Sequence, residues 1–369
     1  MVKGQFLDRY AGRQVLVTGH SGFKGSWLSL WLNQLGAKVA GFSLAPHPSP
    51  SLYEVMGDGV FASEAWGDIR NASLETILAA VQPDVVFHLA AQPLVRDSYL
   101  EPVATFETNA IGTMRLLEAV RALRLPCPVV IATSDKCYEN RGWEWGYRET
   151  DNLGGHDVYS MSKAAAELIA QSWRRSFFQG DSGLGPIATV RAGNVIGGGD
   201  YARGRIVPDC VRALIDRQPI VIRNPAATRP WQHVLDCLSG YLWLGARLLD
   251  SNSDSRLADA FNIGPDVRSN QPVAALVEEF LRLWPGEWRH EGNKDGLHEA
   301  GRLHLNTDRA AHWLGWHPTW DFTVAVRETA RWYHARHVEQ ADMGVFCRAQ
   351  IERYAAAAAG AGLVWTNST

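Results

Sequence analysis

Tyr159 and Lys163, in the run Tyr159-Ser160-Met161-Ser162-Lys163, put a phenol and an ammonium on one face of any helix that carries them. A phenol with a pKa of about 10 is a poor base at neutral pH. A nearby cation favours its anion, and bringing it near 7 takes roughly 4 kcal/mol of differential stabilisation. Upstream, Thr133-Ser134-Asp135-Lys136 offers a hydroxyl, a carboxyl and an amine in succession. Ser134 can hold a reacting hydroxyl while Tyr159 removes its proton. Asp135 suits an acid if burial keeps it protonated, and Lys136 a base only if burial or like charge depresses it. A plainer reading stands beside each. An amphipathic helix carries Tyr-x-x-x-Lys by chance, and Asp135-Lys136 can be a simple ion pair at a strand end.

Position sharpens the first reading. The run Val129-Val130-Ile131-Ala132 reads as a buried strand, so residues 133–136 fall at its C-terminal end, where open α/β sheets place their chemistry. Near the start of the chain, Val15 to Val17 read as another such strand. Gly19, Gly22 and Gly25 follow in a turn, and Trp27, Leu28, Leu30, Trp31, Leu32 and Leu35 form the stripe of a buried helix ending near Gly36. Strand, glycine turn and helix together make a dinucleotide phosphate cradle. A nicotinamide held there would accept hydride from the carbon whose hydroxyl Tyr159 deprotonates.

The candidate cofactor contacts follow the chain. Gly19, His20, Gly22, Phe23 and Lys24 form the turn. Ser43 ends a second strand over 38–44, where Asp or Glu commonly accepts from a ribose 2′-hydroxyl. The missing acid, with His20 and Lys24 nearby, leaves a 2′-phosphate open, although NAD is the expected cofactor. Asp68 and Ile69 follow a third strand over 61–66, where Asp68 either reaches the adenine or caps a helix starting near Leu74. Leu89, Ala90 and Ala91 close a strand over 84–91, and small residues there suit a backbone passing beside a cofactor. Asn109, near the start of a helix over 105–123, either holds water or a backbone turn beside the site or is a structural helix residue. Thr133, Tyr159 and Lys163 complete the set.

Composition narrows the class. The 369 residues suffice for two lobes, and 46% hydrophobic with 20% charged residues suits a globular protein. A formal charge of −3 gives no reason to expect nucleic acid or a membrane as partner. The five Cys form no C-x-x-C pair and the His have no metal-like spacing, so neither disulfides nor a metal is expected. No signal-like leader precedes the first strand and no apolar run spans a bilayer, which makes a cytoplasmic location the expectation.

Several separate stretches resemble the extended short-chain dehydrogenase/reductases, and among them the nucleotide-sugar 4,6-dehydratases. They are Thr18 to Gly25, His88-Leu89-Ala90-Ala91-Gln92-Pro93-Leu94-Val95-Arg96, Thr133 to Asn140, Arg191-Ala192-Gly193-Asn194-Val195-Ile196-Gly197-Gly198-Gly199-Asp200, and Arg229-Pro230-Trp231-Gln232-His233-Val234. The resemblance runs from Gly12 to about Arg353. It implies an α/β fold, a Rossmann-type parallel sheet with a smaller α/β C-terminal lobe for the substrate. It also implies oxidation of a glucose C4 with Tyr159 as base, loss of water across C5 and C6, and return of the hydride to C6. After the Asp, relatives acting on dTDP-glucose carry Glu; Lys136 resembles the CDP-glucose branch. Dimers or tetramers, through the helices bearing Asn109 and Tyr159, are implied as well.

The expected organisation is a NAD-binding domain over 1–190, to which later segments return, a sugar-nucleotide lobe over 191–355, and a low-complexity flexible tail over 356–369. Gln92, Arg96 and Ser134 are substrate candidates on the first domain. On the lobe they are Asn194 after a strand over 187–190, Arg203 and Arg205 before a helix over 207–216, Val207, Arg229, His298 and Glu299. The arginines suit a pyrophosphate, since a guanidinium pairs with two of its oxygens at once; surface solvation is the alternative for Arg203 and Arg205. Two rivals remain: a nucleotide-sugar 4-epimerase using the same Tyr159 and Lys163, and a catalytically silent dinucleotide sensor, against which intact Ser134, Tyr159 and Lys163 count.

Overall fold

The computed structural model describes residues 9–47, 49–180, 182–250, 254–292 and 303–366. The strands are β1 (Gln14–Thr18), β2 (Lys38–Ser43), β3 (Phe61–Trp66), β4 (Val85–His88), β5 (Val129–Ala132) and β6 (Ile187–Arg191), with β-branched runs in β1, β4, β5 and β6. Between them lie α1 (Phe23–Gln34), α2 (Leu74–Val81), α3 (Gly112–Ala122) and α4 (Val158–Phe177). With β7 (Ala260–Asn262), seven strands among the described residues make one sheet in the order β7-β6-β5-β4-β1-β2-β3, every pair parallel. The order reverses between β1 and β4, which opens a crevice at the strands' C-terminal ends.

Every strand but the exposed edge strand β3 buries both faces, as the interior of a parallel sheet requires. Val15, Val17, Phe87, Val130 and Val190 face one core with the α1 aromatics. Leu16, Val86, Ile131 and Ile187 face the other, with Leu78 of α2, Leu116 and Leu117 of α3, and Ala170 of α4. Helix α1 is buried without a break from Gly25 to Leu32, so its neighbours must enclose it. They come from the far end of the chain: Trp27 Nε1 donates to Gly198 O at 2.9 Å, and Trp31 packs edge-on against Tyr354.

Beyond β6, helices α5 (Ile206–Ile215) and α6 (Val234–Leu248) precede β7, and α7 (Phe322–His337) and α8 (Met343–Gly360) follow it. Three short pairings among the described residues lie outside the main sheet: Val195–Ile196 parallel to Gln232–His233, Ile220–Ile222 parallel to Trp288–His290, and Thr228–Pro230 antiparallel to Asn270–Pro272. The chain after 191 is thus shared between lobe and sheet, since β7 lies beside β6 and α6 covers α1. Buried Asp236 of α6 ties the ends together. It accepts from Thr319 N at 2.6 Å and from the Tyr354 hydroxyl at 2.9 Å.

Three elements differ from expectation. Residues 356–366 are not a flexible tail: the alanines complete α8, because alanine loses no side-chain entropy in a helix, and Trp365 is buried, stacked on Tyr354 at 6.1 Å. The strand expected to reach Ala91 stops at His88, where Leu89 N and Ala90 N turn to the carbonyl and hydroxyl of Thr18. The helix around Asn109 starts earlier, at Pro102–Phe106, and passes into α3 through a wide turn, Glu107–Ile111, that carries Asn109.

Candidate active site

The glycine turn works by close approach. A Cβ on Gly19 would lie 2.7 Å from Ala90 N, and one on Gly25 would overlap the Gly19 carbonyl. Gly19 also has a φ of +75°, which L side chains rarely adopt. Gly22 stands at the N-terminus of α1 with no side chain capping its first N–H groups. That combination, a cradle without Cβ atoms and an uncapped helix start, fits a dinucleotide pyrophosphate. Phe23 opens α1 beside it.

His20 and Lys24 do not form the 2′-phosphate site that their positions left open. The His20 ring is fully buried among Tyr53, Phe61 and Trp66, with Nε2 2.9 Å from Glu64 Oε1, and burial lowers its pKa. Lys24 reaches toward α6, its ammonium 5.8 Å from the Tyr241 ring. At the end of β2, Ser43 shares a hydroxyl contact with Ser21 at 2.8 Å. Asp68 caps no helix. Its carboxylate pairs with Arg70 at 2.6 Å, which holds it below the usual range, and Ser73 stands at the head of α2. Ile69 is core, packed on Gly112. Leu89, Ala90 and Ala91 form the turn after β4, beside Gly19.

Asn109 resolves as a bracket for a backbone turn. Its amide accepts from Gln92 N at 2.8 Å and donates to Gln92 O and to Ser162 Oγ, so both polar atoms of its side chain are engaged by protein. Gln92 folds back too, donating to Thr105 Oγ1 at 2.8 Å and accepting from Leu94 N, so its side chain is not aimed at a substrate. Thr133 gives its hydroxyl to Glu167.

The chemistry-bearing groups do come together. Ser134 Oγ donates to Asp135 Oδ1 at 3.0 Å, and Asn194, at a φ of +51°, donates from Nδ2 to Asp135 Oδ2 at 3.4 Å. Asp135 is buried, while half-buried Lys136 holds its ammonium 3.8 Å from the carboxyl. Gly193 makes this possible: a Cβ there would overlap the Asp135 carboxyl. Tyr159 and Lys163 lie one turn apart on α4, both buried. Burial pushes Tyr159 up to about 12, Ser134 and Arg205 work to lower it, and Asp135 raises it. Burial first, then Lys24, lowers Lys163 to about 8, while its ammonium donates to Ala132 O at 3.3 Å. The cation acting on the phenol here is thus Arg205.

Arg205 is tied to Asp200 at 2.8 Å and faces Tyr159. Arg96 lies against Gly204 in the same loop, and Arg203 is exposed at its rim. Val207 is a core side chain, leaving only its backbone for a ligand. Arg229 donates to Thr228 O at 2.8 Å on the short strand beside Gln271. His298 and Glu299 lie outside the described residues. Among the described residues no group of His, Cys, Asp and Glu is placed to hold a metal.

The pattern of the NAD-dependent epimerase/dehydratase family matches residues 15–264. The chain belongs to this family. It is 43% identical over 355 residues to a CDP-glucose 4,6-dehydratase of Salmonella typhimurium, covering 94% of this chain and 98% of that one. A dTDP-glucose 4,6-dehydratase of Xanthomonas campestris is 25% identical, over 86% of this chain and 92% of its own. Among solved structures, DesIV, a dTDP-glucose 4,6-dehydratase of Streptomyces venezuelae with NAD and TYD bound, superposes with a TM-score of 0.73 at 24% identity, over 88% of this chain and 98% of that one. That last likeness is one of fold. In this chain the glycine cradle, the Tyr159–Lys163 helix and the β5 end meet at the C-terminal ends of the strands.

Sequence reasoning missed Glu64, Glu167, Gly193 and Asp200. Glu167 carried a legible signal, since it repeats the four-residue step from Tyr159 to Lys163. The other three become visible only when distant segments meet.

Proposed function

We propose that the protein dehydrates CDP-glucose to its 4-keto-6-deoxy form with bound NAD. The observation that carries this is the Asp135–Lys136 pair beside Ser134 and Tyr159, an acid and a base that a 4-epimerase has no use for. Identity of 43% with the Salmonella enzyme supports the choice of CDP-glucose.

NAD, which the Gly19–Gly25 cradle and the N-terminus of α1 would hold, would supply the hydride acceptor for the sugar's C4 and the hydride donor for C6. The protein does the proton work. Ser134 holds the C4 hydroxyl and Tyr159 takes its proton, with Arg205 the cation that favours the phenolate and Lys163 one turn further along α4. The resulting 4-ketone acidifies the C5 proton. Elimination then needs an acid at the 6-hydroxyl and a base at C5. Asp135 is placed to serve as that acid and Lys136 as that base, their carboxyl and ammonium 3.8 Å apart. Arg96, Arg203, Arg205 and Arg229 are the candidate cations for the pyrophosphate. Exposed Leu100 and Val103, with Met161 and Leu168 on α4, support a homodimer formed through these helices.

The test is incubation with NAD and CDP-glucose in heavy water, with dTDP-, UDP- and GDP-glucose in parallel. Alkali-sensitive absorbance of a 4-keto-6-deoxy sugar, with deuterium at C5, is expected for CDP-glucose. A C4-inverted hexose without loss of water would overturn the dehydratase in favour of the epimerase. Signal with another nucleotide alone would discard the specificity and keep the mechanism.

A further inference from the structure

The reacting groups arrive on two separate elements, the segment after β5 and helix α4, and one carboxylate joins them. Glu167 lies one turn beyond Lys163 on the same face of α4 and is almost wholly buried. Its Oε1 accepts from the Thr133 hydroxyl. Its Oε2 accepts from Thr189 Oγ1 and Arg191 Nη2, both at 2.8 Å. Arg191, also buried, donates from Nη1 to the Tyr138 hydroxyl at 2.8 Å and stacks 4.9 Å from that ring. Tyr138 donates in turn to Asn262 Oδ1 at 2.7 Å on β7.

Thr133 directly precedes Ser134-Asp135-Lys136, and Tyr138 follows them after Cys137. Glu167 holds Thr133 directly and Tyr138 through Arg191. Both ends of the segment carrying the acid–base pair are thereby pinned to the helix carrying Tyr159 and Lys163. We propose that Glu167, acting with Arg191, is a positioning residue that sets the Ser134-Asp135-Lys136 segment against Tyr159 and Lys163. The inference rests on the dehydratase reading for its catalytic consequence.

A buried ion pair is weak evidence of stabilisation, because desolvation offsets its attraction, whereas fixing one geometry is a use that burial suits. The carboxylate has a second effect on the site. Lys163 is faced by Lys24 of α1, His88 of β4, Cys137 after β5 and Glu167 of its own helix. His88 is held neutral by burial, and Glu167 is the carboxylate among these groups, working to keep Lys163 protonated.

Glu167→Gln keeps the shape and removes the charge. The expected result is a fall in kcat of about tenfold or more with KM changed by less than about threefold, since the groups displaced act at the chemical step. The alkaline limb of the pH profile should move to lower pH as Lys163 loses its proton sooner. Amide hydrogen exchange over 133–138 should accelerate. Should the lone buried guanidinium prevent folding, Glu167→Gln with Arg191→Met removes both charges and is expected to fold with the same loss of kcat. Turnover within about threefold of the parent in a folded variant would overturn the proposal, as would a loss of kcat with an unmoved alkaline limb and unchanged exchange. A parent chain inactive on every sugar nucleotide would sink the dehydratase reading instead, leaving the exchange of 133–138 to decide the positioning.

Discussion

Gly193→Ala separates the fold from the chemistry. Gly193 is not among the residues with positive φ, so alanine brings no backbone strain. Its Cβ would overlap the Asp135 carboxyl, where ordinary contact begins at 3.4 Å. The obstacle is the end of a side chain, so the carboxyl gives way rather than the backbone, by about 1 Å or more. Withdrawal breaks the contacts from Ser134 at 3.0 Å and Asn194 at 3.4 Å. Each is worth about 0.5–1.5 kcal/mol, so the thermal midpoint should fall only modestly. A catalytic group displaced by about 1 Å costs about 100-fold in rate. The loss should appear in elimination, measured as 4-keto-6-deoxy product, while oxidation at C4 continues, detectable as reduced cofactor accumulating at 340 nm (roughly, the nicotinamide band). Turnover within about threefold of the parent would refute the assignment of Asp135 as the acid. An equal loss of oxidation and elimination would refute its confinement to the second step.

Tyr159→Phe should lower turnover by about 10²–10⁴-fold while equilibrium dialysis shows NAD still bound. The Lys163 ammonium is lost as pH passes about 8, so turnover should decline above that pH. Stability moves oppositely: the unfolded lysine keeps its proton to 10.5, so between about 8 and 10.5 the unfolded chain binds more protons, and the parent should gain stability relative to Lys163→Met in urea titrations. Asp236, raised by burial to about 7 from 3.8, binds more proton folded than unfolded between those values. Its stabilisation is complete below 3.8 and lost as pH rises through about 7, so stability relative to Asp236→Asn should fall by about 4 kcal/mol across that window. Trp365→Ala should cost about 3–5 kcal/mol in denaturant titration, where a mobile segment would cost nothing.

Local order was legible wherever a period or a special residue declared it. Val15 to Val17, the glycine triplet and the α1 stripe state strand, turn and helix in consecutive residues, and the structure forms them there. Tyr159 and Lys163 share a helix face because a four-residue step leaves them no alternative. What composition obscured was the end of the chain. An alanine run looks featureless, yet alanine is the strongest helix former, and a tryptophan five residues beyond the α8 terminus gives that helix a reason to dock.

The site's polar side chains were less legible, because residue type does not reveal which partner claims a group. His20, Gln92, Asn109 and Thr133 all lie near the crevice and all carry suitable atoms. Each is committed to a protein partner that sequence distance hides: Glu64, Thr105, the Gln92 backbone and Glu167. A buried polar group must be satisfied, so the residues nearest an active site divide into those that meet ligand and those that hold the first group in place. In the proposed function Ser134, Asp135, Lys136, Tyr159 and Lys163 make up the first class. The second class accounts for why Gly193 must lack a side chain and why Glu167 lies one turn beyond Lys163. Its members share a consequence: their loss should slow the chemical step more than it weakens substrate binding, because they fix the geometry in which the reacting groups meet.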